Sequence, residues 1–201
     1  MGFIKVCYLF RMTDMYRIQP QGLYFVTLTV VGGIDVFTRH EYCDLLVENL
    51  NYCIDNKRLR VYEYSILPSR LYMIADVDEG KNNLPKVLRD FKGYSSKQIL
   101  RAISEHPDEN RKDWLMRLFQ SYANRYQHDS EHHFWQFGNQ PVDLEKIVKK
   151  DKPIPSPIEK LLKEKLIDDP RHYIYCSAYP LQRVKLSTRA GLINHLPDSK
   201  N

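Results

Sequence analysis

Apolar and polar positions along the chain follow two periods, and each switch between them marks an element. Over residues 23–31, Tyr24, Val26, Leu28 and Val30 form one apolar face, while Phe25, Thr27 and Thr29 form a more polar one. That two-residue alternation, rich in β-branched and aromatic side chains, predicts a strand, ended by Gly32 and Gly33. From 41 to 56 the spacing lengthens. Tyr42, Leu45, Leu46, Leu50 and Cys53 recur at helical intervals, and an amphipathic helix is expected. Two strands follow, at 60–67 with Tyr62, Tyr64 and Ile66 on one side, and at 71–77, joined through Pro68-Ser69. After a polar loop at 78–83, Leu84, Val87, Leu88, Phe91 and Ile99 predict a helix to residue 103, with a weak point at Gly93.

A further helix is expected over about 108–126, carrying Trp114, Leu115, Leu118, Phe119 and Tyr122. A short strand is expected at Phe134-Trp135-Gln136-Phe137. Trp114 and Trp135 read as core residues. Prolines at 153, 155 and 157 hold that stretch extended. A short charged helix is expected over 158–167, and the stretch after Pro180, with little periodicity, is expected to be a loosely ordered tail. The resulting order, β-α-β-β-α-(α)-β, is that of an α+β ferredoxin-like split βαβ sandwich: an antiparallel sheet with helices on one face and the other face open. Domain boundaries follow: 1–22 as an N-terminal extension, 23–180 as the α+β domain, and 181–201 as a C-terminal tail.

Composition narrows the picture only moderately. The chain has 201 residues, 43% of them hydrophobic, enough for a core in one domain. No apolar run of about 18 residues crosses a membrane, and residues 1–19 lack a signal-peptide core. Cys7, Cys43, Cys53 and Cys176 form no C-x-x-C pair, which points to a reduced, cytoplasmic protein. The formal charge of +5 is compatible with nucleic acid.

The chemistry concentrates in the third strand. Arg70 and Tyr72, two apart, leave it on one face. After the 108–126 helix the densest ligand-type cluster, His128, Asp129, Glu131, His132 and His133, matches no zinc spacing and reads as a solvated loop. Lys86, Arg89, Lys92, Lys97 and Arg101 make the 84–103 helix basic. Lys146, Lys149, Lys150 and Lys152 form a second basic run that reads as a linker.

Several segments together carry a resemblance. They are Tyr24-Phe25-Val26-Thr27-Leu28-Thr29-Val30-Val31, Ile34-Asp35-Val36-Phe37-Thr38-Arg39, Tyr64-Ser65-Ile66-Leu67-Pro68-Ser69-Arg70-Leu71-Tyr72, Leu88 to Lys97, Phe134-Trp135-Gln136 and Tyr173 to Ala178. In that order the chain is similar to the tyrosine transposases of the HUH endonuclease superfamily, the insertion-sequence and REP-associated kind found in Bacteroidetes. The resemblance implies metal-dependent nicking of single-stranded DNA beside a hairpin. In that chemistry two histidines in a Pro-Asn-His-hydrophobic-His pattern hold Mg²⁺ or Mn²⁺, and a tyrosine becomes joined to a 5′ phosphate. It also implies a homodimer.

Carried onto this chain, the histidine positions fall on Arg70 and Tyr72, the tyrosine falls on Ser156, and its helical partner falls near Lys160. A guanidinium has no lone pair to offer. The expectation is therefore a transposase-like protein that binds single-stranded or hairpin DNA, needs no cofactor and has no metal-dependent nicking. Arg70, Tyr72, Lys86, Arg89, Lys92, Lys97 and Arg101 would touch nucleic acid, and no residue is assigned a catalytic or metal-binding role. Two other readings stand beside it: an active enzyme with displaced catalytic residues, and a protein-interaction module that no longer binds DNA.

Overall fold

The computed structural model describes residues 22–78, 83–127, 129–138 and 141–188. Its centre is a four-stranded antiparallel sheet in the order β2-β3-β1-β4. The strands are β1 (Tyr24–Thr29), β2 (Leu59–Leu67), β3 (Arg70–Val77) and β4 (Val142–Asp143). Helix α1 (His40–Lys57) joins β1 to β2, and α2 (Leu84–Glu105) and α3 (Lys112–Tyr126) follow β3. This is the α+β split βαβ arrangement that the alternating periods predict.

The two faces of β1 part as the pattern demands. Tyr24, Val26, Leu28 and Val30 join the main core with Tyr42, Leu46 and Leu50 of α1 and Leu84, Val87 and Phe91 of α2. Burying such side chains supplies roughly 1.5–3 kcal/mol each. Arg58, in the left-handed conformation at φ 61°, closes α1. Asn83 caps α2 by accepting from the Lys86 N–H. Gly93 does not break α2, which runs unbroken from Leu84 to Glu105. At the end of β1, Gly32 has φ 68°, and a Cβ would collide with the Tyr122 phenol. Backbone sign and space both require glycine there.

Four expectations are corrected. First, Tyr62 and Tyr64 do not share a face. A bulge between Val61 and Glu63 sends Tyr62 to the far side of the sheet, while Tyr64 stays in the main core. Second, the fourth strand is split. Trp135 bridges Val30, and the Gln136 N–H donates to the Thr29 carbonyl at 2.8 Å, but the ladder resumes only at Val142–Asp143 opposite Tyr24 and Phe25. Third, Trp135 is buried and donates to Ser95 at 3.1 Å, whereas Trp114 is 53% exposed on α3. Fourth, the chain stays packed past residue 180: Val184 is buried, and the Ser187 N–H donates to the Val61 carbonyl at 2.8 Å.

The face opposite the long helices is not bare. Two short helices, α4 (Leu144–Val148) and α5 (Pro157–Lys163), lie toward it. Leu144 and Leu161 pack there with Leu23, Phe25, Tyr62, Leu67, Tyr72, Ile74 and Cys176 in a second apolar cluster. Lys146 and Lys149 are thus part of an ordered turn, held to Asp143 and Glu145.

Candidate functional site

The register of the sheet places the singled-out residues in rows on the far face. Arg70 lies between Leu67 and Thr29, Tyr72 between Ser65 and Thr27, and Ile74 between Glu63 and Phe25. Over these rows sits α5, packed on β2 and β3. Its entry is fixed by local chemistry. Ser156 accepts from the N–H groups of Ile158 and Glu159 at 3.2 and 3.4 Å, and Pro157 takes the first helical position. The Ser156 hydroxyl donates to Glu63 at 3.1 Å.

Arg70, Tyr72 and Ser156, far apart in sequence, are therefore gathered beneath and beside one short helix. Their side chains are committed differently. Tyr72 is 8% exposed, its ring 5.8 Å from Phe25. That burial leaves little of the ring open to touch nucleic acid, the role expected of it. Arg70 stays at the rim and pairs with Glu164 at 3.4 Å, both side chains well solvated. Such an exposed pair is worth about 0–1 kcal/mol, so Glu164 holds the guanidinium only weakly. Ser156 is held by its capping bonds.

These residues do not suit a divalent cation. A guanidinium donates only, the phenol is buried, and the hydroxyl is spent on a helix cap. Among the described residues no group of three or more His, Cys, Asp or Glu side chains is placed to hold a metal ion. The histidine cluster does not form one. His128 lies outside the described residues, His132 reaches Glu131 at 4.0 Å, and His133 is buried and stacks on Phe137 at 4.2 Å. His133 is a packing residue, not part of a solvated loop.

The basic helix presents a stripe. On a 3.6-residue repeat, Lys86, Arg89, Lys97 and Arg101 fall opposite the buried Val87, Phe91, Ser95 and Ile99. All four are exposed; Arg101 pairs with Glu105 at 2.8 Å and Arg89 approaches Asp90 at 3.7 Å. Lys92 leaves the stripe. It is half-buried, and burial lowers its ammonium pKa.

Glu63, Ser65 and Glu164 complete the far-face site, and the sequence reading did not single them out. The alternate polar positions of Glu63 and Ser65 in β2 are the signal that marks them. On the helix side, two arginines enclose Glu109, which is 5% exposed. Arg39 and Arg111 reach it at 3.2 and 3.1 Å. Burial opposes its charge, but hydrogen bonds and charge from Arg111, with Arg39, hold its carboxyl down at about 2. Cys43, Cys53 and Cys176 are free and buried. Burial pushes the Cys43 and Cys53 thiols up to about 12 and about 11, which leaves them unreactive. Cys7 lies outside the described residues.

No family model and no curated protein matches the chain. Among solved structures, a REP-associated tyrosine transposase bound to a REP hairpin is similar. The TM-score is 0.35 with 19% identity, over 63% of this chain and 86% of that chain. Among the described residues no helix is long and apolar enough to cross a membrane.

Proposed function

We propose that the protein binds single-stranded or hairpin DNA through its phosphates and has given up metal-dependent nicking and strand transfer. The observation that carries this reading is the donor set under α5. Where the resemblance would put two imidazoles and a nucleophilic phenol stand a rim guanidinium, a buried ring and a capping hydroxyl. The exposed Lys86, Arg89, Lys97 and Arg101 stripe supports the binding half of the reading, because phosphate contacts need cations free to shed counterions. The covered sheet face moves DNA away from Tyr72 and toward Arg70 and the helix layer. We further propose that the protein works in the cytoplasm, as a homodimer, without a cofactor.

Titration of labelled hairpin and single-stranded DNA at several salt concentrations, with and without Mg²⁺ or Mn²⁺, tests this. Micromolar or tighter binding that weakens steeply with salt and ignores the metal is expected. Absence of binding at low salt would remove the reading. A covalent protein–DNA band in the presence of metal would restore the active enzyme in its place.

A further inference from the structure

On the opposite side of the sheet, α1 and α2 leave a groove of about 590 Å³ between them. That volume suits one small ligand. We infer that the groove binds a nucleotide, with one unstacked base held between Tyr52 and Tyr94 and its phosphate among the cations beside Asp90. The inference does not depend on the reading of the far-face site.

The aromatic walls come one from each helix. Tyr52 is 55% and Tyr94 58% exposed, and both line the groove. Neither ring packs against another aromatic ring of the described residues. Two solvated rings facing one cleft cost apolar exposure that an inserted base removes, and base–aromatic stacking contributes roughly 1–3 kcal/mol per base.

The floor carries a fixed amide pair. Asn49 is 4% exposed, and its Nδ2 donates both to the Leu45 carbonyl and to Gln98 Oε1, each at 2.6 Å. Because a backbone carbonyl only accepts, the Asn49 amide has one orientation, and that sets Gln98 as well. Asn49 Oδ1 and Gln98 Nε2 then stand unused by any described residue. An amide acceptor and an amide donor on neighbouring helices are the groups with which side-chain amides pair with a base such as adenine.

The far end carries the charge. Lys57 meets Asp90 at 3.0 Å and Arg89 lies 3.7 Å from the same carboxylate. Hydrogen bonding from Lys57, with charge from Lys57, Arg89 and Lys86, holds the Asp90 carboxyl below its usual range. Lys57 and Arg89 are the cations that a phosphate would meet at this end. From Asn49 to Lys57 the helix rises about 12 Å, comparable to the reach from a base edge to its phosphate. The groove's other carboxylate, Glu48, stands one turn before Tyr52, where a sugar hydroxyl can donate to it.

The test uses the full chain, titrated by calorimetry with the four deoxynucleoside monophosphates, with inorganic phosphate, and with a hairpin bearing one unpaired nucleotide against the same hairpin made abasic there. Millimolar or tighter binding of at least one monophosphate, or a preference for the intact over the abasic hairpin, is expected. The first outcome assigns a free nucleotide and the second a nucleotide within a strand. Tyr52→Ala and Tyr94→Ala, both at exposed positions, should each weaken that binding about tenfold. Phosphate binding as well as the nucleotides do, indifference to both tyrosine substitutions, or no binding of any probe would overturn the inference. Loss of general hairpin affinity alone would touch only the proposal for the far-face site.

Discussion

The Ser65 hydroxyl donates to the Pro157 carbonyl across 2.7 Å, and neither group sees solvent. This bond ties the middle of β2 to the first turn of α5, directly beside Tyr72, which is Ser65's neighbour in the ladder. It therefore governs whether the far face is closed.

Ser65→Ala removes the buried hydroxyl bond to that carbonyl. A loss of about 1–2 kcal/mol is expected. Urea unfolding should show a lower midpoint with unchanged slope. Hydrogen exchange should speed up across residues 157–163 and leave α1 as it was. Unchanged protection of α5 would mean that apolar packing of Leu161, and not this bond, holds the helix down.

The Glu109 cluster makes stability depend on acid. Its folded pKa, about 2, lies below the model-peptide value of 4.5, so the carboxylate binds fewer protons folded than unfolded. The associated stability is fully present above about pH 4.5 and is lost as pH falls toward 2, and it amounts to about 3 kcal/mol. Glu109→Gln should destabilise the protein at pH 7, since Arg39 and Arg111 lose their anion. The gap from the parent should then narrow by pH 3. A gap that does not change with pH would assign the cost to shape instead of charge.

What could be read in advance follows from how local each cause is. The period of β1 and the helical spacing of Tyr42, Leu46 and Leu50 are contained in their own segments, and these elements stand where the pattern puts them. The bulge beside Tyr62 is a property of two strands together, so one strand's alternation misassigns its face. Leu144 and Leu161 sit in short helices too brief to show a clear apolar period. Nothing in their own spacing says that they cover the sheet. Arg70 and Tyr72 were legible as a pair because two residues of one strand share a side. Their partners Glu164 and Ser65 come from long-range packing and were not.

Tyr72 offers a clean distinction between packing and chemistry. Its ring is buried against Phe25, and its hydroxyl has no hydrogen bond among the described residues. Tyr72→Phe should therefore change stability by less than about 0.5 kcal/mol and leave DNA affinity intact. Tyr72→Ala should cost about 3–5 kcal/mol through the cavity it opens. Thermal unfolding and a hairpin titration on both variants decide it. Selective loss of DNA processing in the phenylalanine variant would make the phenol a reacting group and reverse the reading of this face.

The basic stripe of α2 predicts a particular salt dependence. Lys86, Arg89 and Lys97 are exposed, and neither Lys86 nor Lys97 is engaged by a carboxylate at ion-pair distance among the described residues. If they neutralise phosphates, each substitution removes one counterion-release contact. Lys97→Ala or Lys86→Ala should lower affinity for every hairpin sequence alike and reduce the slope of log K against log salt by about 0.7–0.9. Lys92→Ala should leave the slope unchanged, because that ammonium is half-buried and off the stripe. Arg101→Ala should fall between, since its Glu105 partner must first be released. Binding measured from 50 to 200 mM salt on the four variants checks the ranking. Equal slopes throughout would place the DNA on another surface, with Arg70 at the rim of α5 as its first anchor to examine.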